Sequence, residues 1–324
     1  MITSHHMRTT NFVLSFFVAA MVVVMTTPAA AQTPSYATTD LPTKDTFGDF
    51  VVGPGKIELT VNPGESKTVN LTLANRMGDD RVFDIVVEDM KGSEDPAQTV
   101  VLLGNDRGPY SLRDYFQIPE RSFMLPHAKK AIVPVTVSVP ADAEPGGYYG
   151  SVLFTTTSKK TEAEQGAAAI ISRIGVLFFV TVPGGTGYEG KMESFKVKKP
   201  FFTEGPIPFQ ILYRNTGTIH LNPSGKISIK NMMGTQVESL TLDPWFALPG
   251  SLRLREVEWG RHMLLGRYTA DAEIYRGYGD GIDRATVTFW VIPVVPTAIA
   301  VGVLFFLFFV IRFFATRFEF RRRN

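Results

Sequence analysis

From 129 to 139 the chain reads KKAIVPVTVSV, with Val133, Val135, Val137 and Val139 alternating with Pro134, Thr136 and Ser138. A period of two places successive side chains on opposite faces of an extended strand, so one face of this segment is apolar and the other is not. The same alternation returns in Ile57, Leu59 and Val61, in Val69, Leu71 and Leu73, and in Phe83, Ile85 and Val87, and strand-like runs follow at 100–103, 148–156 and 170–182. Gly, Pro, Asn and Asp separate the runs. Strands this short, with turn residues between them, must stack two sheets face to face to bury their apolar sides.

A second series follows, with runs at 191–198, 207–214, 226–230, 236–242, 251–259, 268–275 and 284–290. The stretch NMMG at 231–234 joins two of them and predicts a hairpin turn. The stretch PGGTG at 183–187 is the boundary between the two series. The resulting expectation is an all-β body of two tandem immunoglobulin-like β-sandwiches, at 48–183 and 188–290, with 32–47 as a flexible lead or a first edge segment. The sequence LRDYF at 112–116 has the form of a single helical turn.

The two ends of the chain differ from this body. The run 12–25 has no charge, follows Arg8 and precedes Ala29, Ala30 and Ala31, the parts of a secretory signal over 1–31. The run 291–311 also has no charge, and 21 helical residues at about 1.5 Å each reach across one hydrocarbon core. A transmembrane helix is therefore expected at 291–314, with a basic tail at 315–324. Arg312, Arg317, Arg321, Arg322 and Arg323 flank it on one side, against Glu319, and predict that the C-terminus is cytoplasmic and the body exported, a single-pass arrangement at the cell membrane.

Composition narrows the chemistry. There are no cysteines, which excludes disulfides, thiolate metal sites and cysteine nucleophiles. A net charge of +2 over 324 residues implies no nucleic-acid partner. His127, His220 and His262 have no metal-ligand spacing, and His220, in a loop after Asn215-Thr216-Gly217, reads as a solvated turn residue. Asp79-Asp80, Asn105-Asp106 and the aspartates of 280–283 fall in predicted turns. Asp106 with Glu120 is the one carboxylate pair that invites inspection for glycan hydrolysis. No serine sits in a nucleophile elbow and no glycine loop leads into a helix. No cofactor and no enzymatic activity are expected, and the oligomeric state is left open.

The stretch GGYYG at 146–150 holds the candidate residues. Gly146-Gly147-Tyr148 recurs as Gly266-Arg267-Tyr268, each time before a strand near the end of its series. Tyr148 and Tyr268 are expected as corner tyrosines, each hydroxyl turning back to a backbone carbonyl of the preceding connection. Tyr149 faces the other side and is a candidate ligand contact. The long connection 104–122 adds Tyr110 and Arg107 as candidates, while Phe116 is expected to pack. The polar segment 157–169 reads as a loop.

The order of parts, with "VPADAEPGGYYGSVLF", "YRNTGTIHLNPSG", "GRYTADAEI", one spanning helix and a basic tail, resembles the WxL-interacting proteins of bacterial cell surfaces. That resemblance implies a membrane-anchored envelope protein whose first domain recognises peptidoglycan, a cell-wall polymer, and whose second recognises another surface protein. The alternative is an assembly chaperone or structural subunit that pairs a sheet edge with a partner strand.

Overall fold

The computed structural model describes residues 36–157, 171–184, 187–262 and 264–317. The expected signal, the 158–170 segment and Arg321, Arg322 and Arg323 lie outside the described residues.

The first sandwich is built from β1 (Ala37–Asp40), β2 (Asp49–Gly53), β3 (Lys56–Thr60), β4 (Ser66–Arg76), β5 (Arg81–Gly92), β6 (Val100–Leu102), β7 (Phe116–Gln117), β8 (Ser122–Leu125), β9 (Lys129–Ser138), β10 (Gly146–Thr157) and β11 (Ile171–Val182). One sheet runs β1-β9-β4-β2, with β7 also on β9. The other runs β3-β11-β10-β5-β6, with β8 also on β5. The alternating valines of β9 point inward: Val133, Val135 and Val137 are fully buried against Leu71, Phe154 and Phe178. Each such side chain contributes about 1.5–3 kcal/mol by leaving water. A 3₁₀ turn at Arg113–Tyr115 occupies the expected helical turn.

The chain from β2 to β3 changes sheets. β2 pairs antiparallel with β4, whereas β3 pairs in parallel with β11. One stretch of chain thus covers part of an edge in each sheet and all of neither.

The second sandwich comprises β12 (Gly190–Val197), β13 (Phe201–Phe202), β14 (Ile207–Asn215), β15 (Ser224–Asn231), β16 (Gln236–Leu242), β17 (Leu252–Trp259), β18 (Gly266–Tyr275) and β19 (Ile282–Val291). The sheet β12-β14-β17 packs on β13-β19-β18-β15-β16 around Phe209, Tyr213, Trp259 and Phe289. The turn at 231–234 closes the β15–β16 hairpin, with Gly234 in the left-handed region (φ 80°) and its N–H donating to Asn231 O at 3.0 Å.

Both sandwiches share one internal device. Asn75, at the end of β4, donates from Nδ2 to Asp79 O and Leu125 O, both at 2.9 Å, and accepts the Met77 N–H at 3.0 Å. Asn215, at the end of β14, donates to Ile219 O (2.9 Å) and Ala247 O (2.8 Å) and accepts the Gly217 N–H (2.9 Å). Both are fully buried. Each carboxamide ties the turn that follows its own strand to a second segment, the end of β8 at Leu125 for Asn75 and the chain at Ala247 for Asn215.

At 32–47 the structure has the edge segment rather than the flexible lead, and one boundary, that of the helix, differs from the sequence reading. The lead at 32–47 contains β1, which pairs with β9 from Ala37↔Ile132 to Asp40↔Lys129. Tyr36 beside it is buried and its hydroxyl bonds the Glu120 backbone. A polar segment can be an edge strand when one aromatic anchors it, and polarity alone does not show that. The helix α1 spans Val294–Arg317 rather than 291–314. Val291 is the fully buried last residue of β19, paired with Phe202 and Gly266, so tertiary pairing takes it from the helix. Arg312 and Arg317 lie within the helix. It is 24 residues long with a mean hydropathy of 2.8 over its most apolar window, long and apolar enough to cross a membrane.

Replacing Asn75 or Asn215 by Ala strands a buried N–H and two carbonyls, and each variant is expected to lose about 2–4 kcal/mol of stability. Urea unfolding of the full chain in detergent, followed by tryptophan fluorescence, measures this. A loss below about 0.5 kcal/mol for both would show that water replaces the carboxamides.

Candidate functional site

The glycines of GGYYG serve the two tyrosines. Gly146 has φ 155°, and a Cβ at Gly147 would stand 1.9 Å from the Tyr149 hydroxyl. Tyr148 donates to Glu144 O at 2.8 Å, and its ring lies 5.3 Å from that of Tyr115. The Tyr268 hydroxyl donates to Leu265 O at 3.3 Å.

Tyr149 does not face solvent. It stands on the outer face of its sheet, but the second sandwich covers it completely, and it is 0% exposed. Its hydroxyl accepts the His220 N–H at 2.6 Å and faces His220 Nδ1 at 3.3 Å. The other ring nitrogen, Nε2, stands 3.9 Å from Glu58 Oε2. Phe179 and Phe246 meet edge to face at 4.9 Å, with the Phe179 ring 5.1 Å from His220. At the other side of this joint Leu252 N–H donates to Ser93 O at 2.9 Å, and Arg253 Nη1 donates to Thr99 Oγ1 at 2.5 Å. A Cβ at Gly92 would sit 2.6 Å from Ser251 Cβ, so the sandwiches meet where a side chain is missing. Two expectations are corrected here. Tyr149 is unavailable to a ligand, and His220, with 9% of its side chain exposed, is a joint residue rather than a solvated turn.

The other candidates lie on the 104–122 connection. Buried Asp89 holds its start by accepting the N–H groups of Gly108, Leu112 and Arg113 at 3.0–3.2 Å. Arg107 is exposed and forms a two-pronged ion pair with Asp114. Phe116 is buried edge to face on Phe178 at 4.9 Å. Tyr110 is half-buried, its ring 6.0 Å from that of Tyr149 and its carbonyl accepting the Tyr149 N–H at 2.9 Å. It lines an open groove of about 570 Å³ with Lys91, Glu94, Asp95 and Pro249. Asp106 is on an exposed turn, while Glu120 lies beside Tyr36, where its backbone N–H bonds the tyrosine hydroxyl. Among the described residues no group of His, Asp and Glu could hold a metal ion.

The feature with most capacity to bind is an edge. β3 pairs with β11 only from Leu177 to Thr181. Among the described residues no strand flanks 171–176 on that side. Leu177 N–H donates to Gly55 O, and Thr181 O accepts the Val61 N–H, both at 3.1 Å, so odd-numbered backbone groups point away from β10. Carried back along the strand, that parity turns the N–H and C=O of Ile171, Arg173 and Gly175 outward. Ile174 points into the sandwich yet is exposed, and among the described residues no strand closes the core beside it. Ile171 is 66% exposed on the outer face, where Val82 and Met124, a cross-strand pair, are exposed too.

Sheet edges are usually guarded by projecting charge or proline. Here the guard is withdrawn. Arg173, opposite Thr155, reaches Glu88, opposite Ser151, and so lies across the Leu153 row of its own sheet. Gly175 makes room on that row, since a Cβ there would meet Leu153 at 2.5 Å. The run of alternation over 170–182 gave the strand, but no sequence signal shows which half of it lacks a neighbour among the described residues.

No family model and no curated protein matches the chain. Among solved structures it is similar to the class 5 fimbriae chaperone CfaA, with 11% identity over 76% of this chain and 100% of that one and a TM-score of 0.34. The Escherichia coli chaperone DraB gives 11% identity over 75% and 97%, with a TM-score of 0.32. The Pseudomonas aeruginosa chaperone CupB2 gives 10% over 74% and 100%, with a TM-score of 0.32. Likenesses this loose say nothing of what the chain binds.

Burial lowers the His220 pKa below its ordinary value of 6.5; Glu58 pulls it up and Lys56 pushes it further down, and the net direction is down. The unfolded chain then binds the proton more readily than the folded one. This contribution to stability is whole above about pH 6.5 and is lost as pH falls through the folded pKa. Melting temperature is expected to fall on acidification below about 6.5, less steeply in His220→Asn. Tyr149→Phe removes the acceptor of the His220 N–H and is expected to cost about 1–3 kcal/mol and to speed amide exchange at His220. Unchanged exchange in Tyr149→Phe would show the joint does not depend on this bond.

Proposed function

We propose that the protein is a membrane-anchored binding protein that accepts an extended segment of a protein partner on the open half of β11. The observation that carries this is the set of outward backbone groups at Ile171, Arg173 and Gly175 with no strand beside them among the described residues. An incoming strand would satisfy them, each hydrogen bond contributing about 0.5–1.5 kcal/mol net. It would also cover Ile174 and close the core. Main-chain bonds give such a contact affinity, and alternate side chains in the exposed apolar row of Ile171, Val82 and Met124 give it selectivity. In this reading the body is exported and α1 holds it at the membrane. The role is assembly or presentation of a partner, the alternative among the sequence expectations.

A second reading rests on the Tyr110 groove. An aromatic face beside Glu94 and Asp95 is the surface a sugar polymer would use, which keeps the envelope-polymer role implied by the resemblance to WxL-interacting proteins as a proposal. Retention of the full chain on purified peptidoglycan, lost in Tyr110→Ala, would support it; equal retention of both proteins would end it.

For the edge, a photocrosslinking residue at position 171 is expected to trap a protein partner in native envelopes, and one at position 216 is not. Ile171→Pro removes an outward N–H at the first position of the strand and leaves the β10 ladder intact. Combined with a crosslinker at position 174, it is expected to reduce the adduct several-fold without lowering the melting temperature. An adduct at 174 undiminished by the proline would exclude strand addition.

A further inference from the structure

The two poles of the second sandwich are unlike. One carries His220, Ser251 and the joint. The other, where β19 runs into α1, is apolar and exposed. Register gathers six residues there. Phe201 pairs with Trp290, and Phe202 pairs with Val291. Gly266 also pairs with Val291, with Leu265 just before it. Asn231 pairs with Tyr268, which sends the following Met232 and Met233 past the end of the sheet. Met232 Sδ lies 3.6 Å from where a Cβ on Gly266 would stand. Met233 is 85% exposed and Leu265 70%, and Phe201, Met232, Trp290 and Ile292 are exposed as well. An apolar end this open on a soluble face is unfavourable by roughly 25 cal/mol per Å² of apolar surface left in water.

The connection to α1 says what covers it. Ile292 N–H donates to Phe202 O at 2.8 Å, so sheet bonding continues to Ile292. Pro293 O already accepts the Thr297 N–H at 3.1 Å, so the helix begins at the next residue. Two residues of chain reach at most about 7 Å. The headgroup layer on one side of a bilayer is about 5–8 Å deep. With Val294 at the hydrocarbon boundary, the sheet end has no room to stand clear of the lipid. Trp290 and the pole around it fall in the headgroup layer, where tryptophan and a polar–apolar mixture are favoured. The exposed cations at this pole, Lys199, Arg261 and Arg267, outnumber the exposed acids Glu204 and Glu258 and can meet headgroup phosphates.

We infer that this pole is a lipid-binding foot: the second sandwich sits on the bilayer surface through Met233, Leu265 and their neighbours, in addition to the hold of α1. The inference rests on α1 spanning the membrane. It fixes the tilt of the body, so the joint and the β11 edge are carried at a set height above the lipid instead of swinging on a tether.

The chain has no cysteine, so one introduced cysteine takes one nitroxide label. Full chains carrying Met233→Cys, Leu265→Cys, Thr216→Cys or Val303→Cys are labelled and reconstituted in phosphatidylcholine–phosphatidylglycerol vesicles. Spin relaxation by a water-soluble nickel chelate and by oxygen then reports depth. The expected result is a label at 303 reached by oxygen and hidden from nickel, and labels at 233 and 265 several-fold less accessible to nickel than the label at 216. Labels at 233 and 265 as accessible as 216, with 303 hidden, overturn the foot and leave the spanning helix standing. A label at 303 open to nickel removes the premise, and the inference falls with it.

Discussion

The bond between the Tyr149 hydroxyl and the backbone of His220 lies in the buried joint between the sandwiches, and the rest of the architecture depends on that joint. Two sandwiches joined by a short link would ordinarily move against each other, since interfaces between domains are mostly small and polar. Here the aromatic side chains Tyr149, Phe179 and Phe246 exclude water from the joint, and a hydrogen bond made in that setting is costly to leave broken. Lys56, Glu58 and Asn222 close its rim: the ammonium bonds the carboxylate at 2.5 Å, and the carboxamide reaches it at 3.2 and 3.3 Å. The joint places the edge of β11 and the strand β19 in one compact unit, and β19 leads into α1.

The open edge follows from a geometric economy. A single chain segment crosses from β2 to β3 and gives five residues to each sheet. What it gives to one sheet it withholds from the other, so β11, at 12 residues, is longer than its neighbour on that side can cover. Most sheet edges left this way carry charge or proline as protection. Arg173 folds across its own strand row to Glu88 and so does not project from the edge that, among the described residues, has no neighbour at 171–175.

Much of this fold was legible in the sequence. The seven runs after Tyr188 each hold a strand, and the alternating valines of 133–139 bury on the face their period assigns. The paired asparagines could be seen as an echo between the two series, with Asn75 and Asn215 each followed by a nearby glycine, although their bonding could not. At 32–47 the sequence left a flexible lead and an edge segment both open, and Tyr36 anchors the edge strand; hydropathy misled at Val291, where pairing with Phe202 and Gly266 overrides membrane-like composition. The candidate residues were less legible. Arg107 and Tyr110 are where a surface connection would put them, but Tyr149 and His220, 71 positions apart, became interior only when one sandwich was laid on the other.

Local pattern determined what each segment is: strand from period two, turn from Gly, Pro and Asn, helix from an uncharged run long enough for a bilayer. These properties depend on neighbours within a few residues, and side-chain alternation reports them directly. Which half of β11 pairs with β3, which tyrosine is covered, and which end of a sandwich gathers Met233, Leu265 and Trp290 were decided by tertiary structure alone. The reason is that pairing and burial are set by residues tens to hundreds of positions apart, and the periodicity of a strand has the same form at a closed edge as at an open one.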